Sequence, residues 1–132
     1  MGEPVWISKE VVLALHARQV AEHGGDAGMR EESMLESALA RPMQRHFYEQ
    51  DFDLCKLAAS YAMGLAKNHP FVDGNKRMAF VVYRLFLLRN GLTITAGKAD
   101  RYLTMLHLAP GEMDEDTFAD WLRKNTAPAP LP

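Results

Sequence analysis

The sequence predicts an all-α fold, in which a single compact bundle of about six helices surrounds a buried central helix and carries a short flap or extended segment. Apolar residues recur at helical spacing through residues 54–65, which is typical of an amphipathic helix. Residues 78–88 are apolar on almost every side and too numerous for a typical strand, so they predict the central helix. A chain of 132 residues with 48% hydrophobic residues is long enough to bury one core.

Local start and stop signals define the first two helices. Ser8 can cap a first helix that ends at Gly24 and Gly25. We expect its buried face to comprise Val12, Leu13, Leu15, Ala17 and Val20. A second helix covers about residues 31–40 and stops before Pro42, because proline disrupts a helix interior.

The same kind of signal defines the rest of the chain. Residues 41–51 are polar and aromatic without a clear helical period, so they predict an irregular connection. Asp53 can cap the third helix, which ends near Asn68. The later predicted elements are a short strand over residues 92–95 and helices over residues 98–108 and 115–124. We therefore assign one domain to residues 1–125 and expect a disordered tail at residues 126–132.

Composition excludes several other classes of protein. No stretch of about 20 uncharged apolar residues is present, and the first residues lack a basic region followed by an apolar one. We expect a soluble cytoplasmic protein without a membrane partner. The single cysteine, Cys55, cannot form an internal disulfide and falls on an apolar helix face, which indicates a buried structural thiol.

Residues 69–77 bring together most of the reactive groups of the chain. This run precedes the predicted central helix and therefore lies at its N-terminus, where unpaired backbone N–H groups and the helix dipole favour anions. Gly74 allows close backbone approach to a phosphate, and Asn75 can cap the helix. Lys76 adds a point charge and Arg77 a planar fork for phosphate oxygens. The run predicts a phosphate-binding site.

Two further residues of the run suit a reaction at that phosphate, and a third supports the loop. Asp73 is the kind of oxygen ligand that a phosphate-bound Mg²⁺ uses. His69 is the group that can exchange a proton near neutral pH. Phe71 has no such chemistry and is expected to anchor the loop in the core. Residues 54–111 carry eight basic against two acidic side chains in a chain of net charge −2, which concentrates positive charge around this run.

The run His69-Pro-Phe-Val-Asp-Gly-Asn-Lys-Arg77 resembles the His-x-Phe-x-Asp-Gly-Asn-Lys-Arg signature of the Fic/Doc superfamily. More specifically, it resembles the death-on-curing (Doc) toxin branch of toxin-antitoxin systems. The flanking sequences His23-Gly-Gly25, Gly28-Met-Arg30 and Leu35–Pro42 are similar to upstream segments of that family. The resemblance extends from about residue 8 to residue 124, and it implies a Fic/Doc-type helical bundle.

The resemblance also implies an activity. Many Fic proteins have glycine at the position of Lys76 and a second arginine at the position of Phe80, and they transfer AMP to a hydroxyl. Both differences match the Doc branch, which implies a reversed ATP molecule and Mg²⁺-dependent transfer of the γ-phosphate to a threonine of elongation factor Tu. His69 would then be the general base, and Asp73 would hold the metal. A separate antitoxin would be the inhibitory partner.

Two alternatives and one uncertain segment accompany this hypothesis. Gly74 is more typical of Fic proteins, which keeps AMP transfer as the alternative activity. The second alternative is that the protein is catalytically silent and serves as a binding partner in a DNA-bound toxin-antitoxin complex. The sequence lacks a recognition-helix pattern, however, and we expect no direct nucleic acid binding. In Fic-like proteins the segment corresponding to residues 41–51 docks the target. Phe47 and Tyr48 would therefore contact a substrate, or else anchor the connection to the core.

Overall fold

The computed structural model describes residues 3–108 and 110–130, and these form six α-helices and two short strands. The elements are α1 (Lys9–His23), α2 (Glu32–Tyr48), α3 (Leu54–Asn68), α4 (Asn75–Arg89), β1 (Leu92–Ile94), α5 (Lys98–Leu108), α6 (Glu115–Lys124) and β2 (Thr126–Pro128). The predicted helical class is confirmed, and the bounds of α3, α5 and α6 agree with the prediction. Within the described ranges, no helix has the length and apolar character needed to cross a membrane.

The helix at the centre of the bundle is α3, whereas the sequence pattern assigned that place to residues 78–88. Between Cys55 and Ala66 every side chain of α3 except Lys56 is buried, and the helix packs against α2, α4 and α6. Its small residues allow these neighbours to approach closely on several sides. By contrast, α4 buries one face and leaves Arg84 and Leu88 exposed, since apolar residues do not all have to be inside.

The second helix continues through Pro42, so the predicted stop at this residue is wrong. Pro42 is buried and extends the apolar face that Leu35, Ala38 and Leu39 form on α2. The missing N–H removes one helical bond, but burial of the ring compensates for part of that loss. One turn further on, Arg45 pairs with the buried Glu115 of α6 at 2.6 Å. Tertiary packing therefore overrides the local helix-breaking signal, and most of residues 41–51 are helical.

The buried face of α1 is narrower than predicted. Val12 and His16 are its buried residues, while Leu13 and Ala17 are exposed. The reason is that α1 lies at the side of the bundle, where it contacts α4 and the N-terminal part of α2 along a single stripe. Cys55, in contrast, is buried as expected, and burial raises the pKa of its thiol.

The C-terminal segment is ordered further than predicted. Strand β2 pairs antiparallel with β1, so that Thr93 lies opposite Ala127. The backbone N–H of Ala129 also bonds the carbonyl oxygen of Gly91 at 2.8 Å. The expected disorder of residues 126–132 is therefore wrong for residues 126–130, while residues 131 and 132 lie outside the described part. Pro128 fits here because an edge strand tolerates a residue without an N–H donor.

Asp53 links the start of α3 to the end of α6. Its carboxylate accepts from the N–H of Cys55 at 2.9 Å, and Arg123 pairs with it at 2.6 Å. We expect Asp53→Ala to lower the free energy of unfolding by about 1–2 kcal/mol, because both the cap and the ion pair are lost. Asp53→Asn should lose less, since its amide oxygen still caps the helix. Urea unfolding measures both variants, and equal losses would contradict the capping role.

Candidate active site

The motif run forms the loop between α3 and α4 and the first turn of α4. Gly74 is the N-cap residue, with φ of 86°, and its carbonyl oxygen accepts the first helical bond from Met78 at 2.8 Å. The N–H groups of Asn75, Lys76 and Arg77 precede that bond and point out of the helix end. They coincide with the positive end of the helix dipole, so this end of α4 favours an anion. The expectation that Asn75 caps the helix is wrong, because Gly74 occupies that position.

The side chain of Asn75 holds the loop together. It is 8% exposed, its Oδ1 accepts from the N–H of Phe71 at 3.0 Å, and its Nδ2 donates to the carbonyl oxygen of Phe71 at 2.9 Å. These two bonds satisfy the backbone N–H and the carbonyl oxygen of Phe71, which is a buried residue. The amide is therefore engaged inside the loop, and the backbone N–H of Asn75 is the group that faces an anion.

Phe71 lies under the loop, as expected of an anchor. Its side chain is 1% exposed and stacks on the ring of His16, with ring centroids 3.8 Å apart and an interplanar angle of 11°. Nε2 of His16 donates to the carbonyl oxygen of Asp73 at 2.9 Å. His16 therefore supports the loop through both a ring contact and a hydrogen bond.

His69 is an exposed residue that ends α3 in the left-handed conformation, with φ of 47° and ψ of 57°. Such a backbone is strained for a residue other than glycine, and it turns the chain sharply into the loop. Nδ1 of His69 lies 3.4 Å from Nδ2 of Asn75, a distance too long to fix the tautomer of the ring. The contact therefore leaves the tautomer of the imidazole open, and either ring nitrogen can be the one that accepts a proton.

Asp73 is exposed and held at one oxygen. The backbone N–H of Asp26 donates to its Oδ2 at 2.8 Å. Gly25, with φ of 106°, packs so closely that a Cβ there would lie 3.4 Å from Cβ of Asp73. Within the described chain Oδ1 of Asp73 has no hydrogen-bond partner, and no three His, Cys, Asp or Glu side chains gather as metal ligands. One free carboxylate oxygen suits a Mg²⁺ that takes its other ligands from phosphate and water.

An extended segment, residues 26–30, lies antiparallel to residues 70–72. The N–H of Arg30 bonds the carbonyl oxygen of Pro70 at 2.8 Å, and the N–H of Val72 bonds that of Gly28 at 3.0 Å. The guanidinium of Arg30 donates to the carbonyl oxygens of His69 at 2.6 Å and Asn68 at 2.7 Å. The three glycines of residues 24–28 are the one local signal for this contact, because such a run favours a loop that can approach another segment closely.

The motif residues line one cleft of about 540 Å³. His69, Asp73, Gly74, Lys76 and Arg77 all contribute to it, so the folded chain brings together the reactive groups that the sequence predicted. The opposite wall is formed by α1 and the glycines after it, through His16, Gln19, Val20, His23, Gly24 and Gly25. No local pattern in the sequence indicates that these residues line the site, because their approach depends on how the helices pack.

Phe47 and Tyr48 lie far from this cleft. They form the last turn of α2 and are 53% and 85% exposed. The other end of α2 is the one beside the motif, and a helix of 17 residues is about 25 Å long. Phe47 instead approaches Trp6, which stacks on Phe86 near the end of α4. This contact fits the anchoring role predicted for Phe47, while docking of a target by Phe47 and Tyr48 stays a prediction. Residues 26–30 are the extended segment beside the motif.

A cationic helix N-terminus next to a histidine and a carboxylate suits the binding and transfer of phosphorus-containing groups. Comparison with known proteins agrees with this class. The Fic/DOC family profile matches residues 6–87. The protein is 36% identical over 118 residues to "Protein kinase doc" of Escherichia phage P1, which covers 89% of this chain and 93% of that protein. It is 33% identical over 99 residues to "Toxin Doc" of Mycolicibacterium smegmatis, covering 73% and 76%. The chain belongs to the Fic/DOC family.

Proposed function

We propose that this protein is the toxin of a toxin-antitoxin system and acts as an ATP- and Mg²⁺-dependent protein kinase. The observation that carries the proposal is the single cleft in which His69 and Asp73 face the N-terminus of α4 with Lys76 and Arg77. The names of the two relatives, a protein kinase and a toxin, support it. Transfer of phosphate to a protein that translation requires would arrest growth, as the proposed toxin function demands.

The reaction is an in-line phosphoryl transfer. A target hydroxyl oxygen attacks the γ-phosphorus of ATP, a new O–P bond forms, and the bond from that phosphorus to the β,γ-bridging oxygen breaks as ADP leaves. Nε2 of His69 accepts the proton of the hydroxyl. The free N–H groups of α4, with Lys76 and Arg77, stabilise the negative charge on the transferred group.

Asp73 would hold Mg²⁺ through its free oxygen, and the bound ion would neutralise charge on the phosphates. We expect Asp73→Asn to remove most of the magnesium-dependent part of the ATP affinity, because a neutral amide oxygen is a weaker ligand. Calorimetry with and without Mg²⁺ measures this change, and the affinity without Mg²⁺ should stay the same. An unchanged dependence on magnesium would contradict the ligand role.

The proposed target is a threonine of elongation factor Tu, and the proposed inhibitor is a separate antitoxin, both by resemblance to the Doc branch. The test uses ATP labelled on either the α- or the γ-phosphate, purified elongation factor Tu and the purified protein. Label from the γ-position should reach the factor, and label from the α-position should not. Transfer of α-label alone would contradict the kinase proposal.

The second candidate is AMP transfer. Glycine at position 74 is the residue that favours it, because glycine here is more typical of the Fic proteins that transfer AMP. In that reaction the hydroxyl attacks the α-phosphorus and pyrophosphate leaves, so the same labelling experiment distinguishes the two activities.

Arg30 is proposed as a positioning residue for His69. We expect Arg30→Ala to reduce kcat about 10- to 100-fold with little change in the KM for ATP, because the carbonyl oxygens of His69 and Asn68 both lose their short bonds to the guanidinium. Arg30→Lys should recover part of the rate. Arg18→Ala is the matched control, since Arg18 is exposed on α1 and pairs with Glu22. A rise in KM without loss of kcat would contradict this role.

A further inference from the structure

His16 is a buried histidine at the cleft that the proposed reaction does not use. It is 4% exposed, and it contributes to the same wall as Gln19 and Val20. A polar ring is buried at little cost only when it packs well and its N–H groups are bonded. The ring packs on Phe71, and its hydrogen bond goes to the carbonyl oxygen of Asp73. One side chain of α1 therefore holds the motif loop at two points.

The hydrogen bond from His16 fixes the peptide group between Asp73 and Gly74. Nε2 carries the hydrogen of this bond, because a carbonyl oxygen only accepts. A trans peptide is planar, so the N–H of Gly74 points opposite to this carbonyl and away from His16. Within residues 3–108 and 110–130 that N–H has no hydrogen-bond partner. The bond therefore keeps the carbonyl oxygen on the side of His16 and leaves the N–H free.

The orientation of this peptide matters because it adjoins the anion-binding end of α4. Gly74 is the N-cap residue, and a Cβ placed on it would lie 3.8 Å from Nε2 of His16. The edge of the imidazole thus lies against the residue at which the helix starts. If the peptide turned over, its carbonyl oxygen would place a negative partial charge near the anion and oppose binding. The bond to His16 prevents this rotation.

We propose that His16 is a positioning residue for anion binding at the N-terminus of α4, and that it acts through the peptide between Asp73 and Gly74. The inference rests on the proposed function, because it concerns the phosphate-bearing substrate of the same cleft. Asp73 is also held at its carboxylate by the N–H of Asp26. Both ends of Asp73 are therefore fixed by α1 and by the segment that follows it.

The test separates the hydrogen bond of His16 from its ring. His16→Phe keeps a flat ring against Phe71 and removes the donor, whereas His16→Gln removes the ring and keeps an N–H donor with a similar reach. Calorimetry with inorganic tripolyphosphate, without Mg²⁺, measures anion binding by the intact chain independently of catalysis. We expect His16→Phe to weaken this binding about tenfold, the scale of one hydrogen bond, and His16→Gln to stay within about threefold of the wild type.

Val12→Ala is the matched control for general destabilisation. Val12 is fully buried on the same helix, one turn before His16, and does not line the cleft. Its truncation should lower the urea midpoint of unfolding and leave tripolyphosphate binding unchanged. His16→Met also lacks the donor, and it replaces His16→Phe in the comparison if the phenylalanine variant does not fold.

The remaining outcomes count against the inference or against the proposed function. Wild-type affinity in His16→Phe would overturn the inference, and so would equal weakening in His16→Gln or Val12→Ala, because the effect would then not arise from the bond. If the wild type bound tripolyphosphate but transferred no γ-label, the proposed kinase function alone would fail. If the wild type did not bind tripolyphosphate, both would fail. Wild-type binding and transfer in His16→Phe would leave the kinase function intact and remove the positioning role.

Discussion

Replacing His69 with alanine is expected to reduce the rate of phosphate transfer about 10²- to 10⁴-fold, the usual contribution of a general base. The imidazole is exposed and makes one long contact, to Asn75 at 3.4 Å, so its removal should leave the packing of the core intact. The same variant should no longer arrest growth when it is produced in cells. Transfer of γ-label to elongation factor Tu measures the rate directly.

The backbone of His69 complicates the interpretation of an alanine variant, because φ of 47° disfavours alanine. His69→Asn provides the second variant, since asparagine tolerates this conformation and cannot act as a base at neutral pH. We expect it to unfold at the same temperature as the wild type and to be as inactive as His69→Ala. Wild-type rates in either variant would remove the imidazole from the reaction.

Asn75→Ala should impair both stability and activity. The variant leaves the buried N–H and carbonyl groups of Phe71 without partners, which should cost about 2–4 kcal/mol of unfolding free energy. The loop that carries His69 and Asp73 also loses its internal link, and a displacement of about 1 Å is enough to reduce a rate roughly 100-fold. Urea unfolding measures the first effect, and labelling at a temperature where the variant is folded measures the second.

The chain contains a matched control for this prediction. The side chain of Asn90, at the other end of α4, makes the same pair of bonds to Val5, accepting from its N–H at 2.8 Å and donating to its carbonyl oxygen at 3.0 Å. Asn90→Ala should therefore lower stability while the folded protein keeps the wild-type rate. A comparable loss of rate in Asn90→Ala would show that the effect of Asn75→Ala arises from general destabilisation.

The parts of the fold that the sequence predicted are those determined by neighbouring residues. The Asp53 cap and the apolar period of residues 54–65 specify α3 locally. Pro42 and β2 depend instead on distant partners. The helix survives Pro42 because its ring packs into the core and Arg45 pairs with Glu115, and β2 forms because β1 offers it a paired edge. Single-sequence patterns carry no information on those partners.

The same distinction holds at the site. The reactive groups of residues 69–77 were recognisable because they are adjacent in sequence and precede a helix. The residues that hold these groups in place were not recognisable, because they are distant in sequence. The bond from Arg30 to His69 spans 39 residues, and the bond from His16 to Asp73 spans 57. The position of Asn75 in the sequence predicts a helix cap, whereas its side-chain amide bonds the backbone N–H and carbonyl oxygen of Phe71. The distance of Phe47 from the motif has a similar cause. Helix α2 continues past Pro42, and Phe47 lies in its last turn, at the end away from the motif.

The most direct test of the account is a crystal structure of the protein with Mg²⁺ and a non-hydrolysable ATP analogue. We expect the phosphates at the free N–H groups of Asn75, Lys76 and Arg77, with the terminal phosphate nearest His69 and Mg²⁺ on Asp73. A triphosphate bound away from the N-terminus of α4, or a His69 ring packed where no target hydroxyl can reach it, would contradict the proposed phosphate transfer.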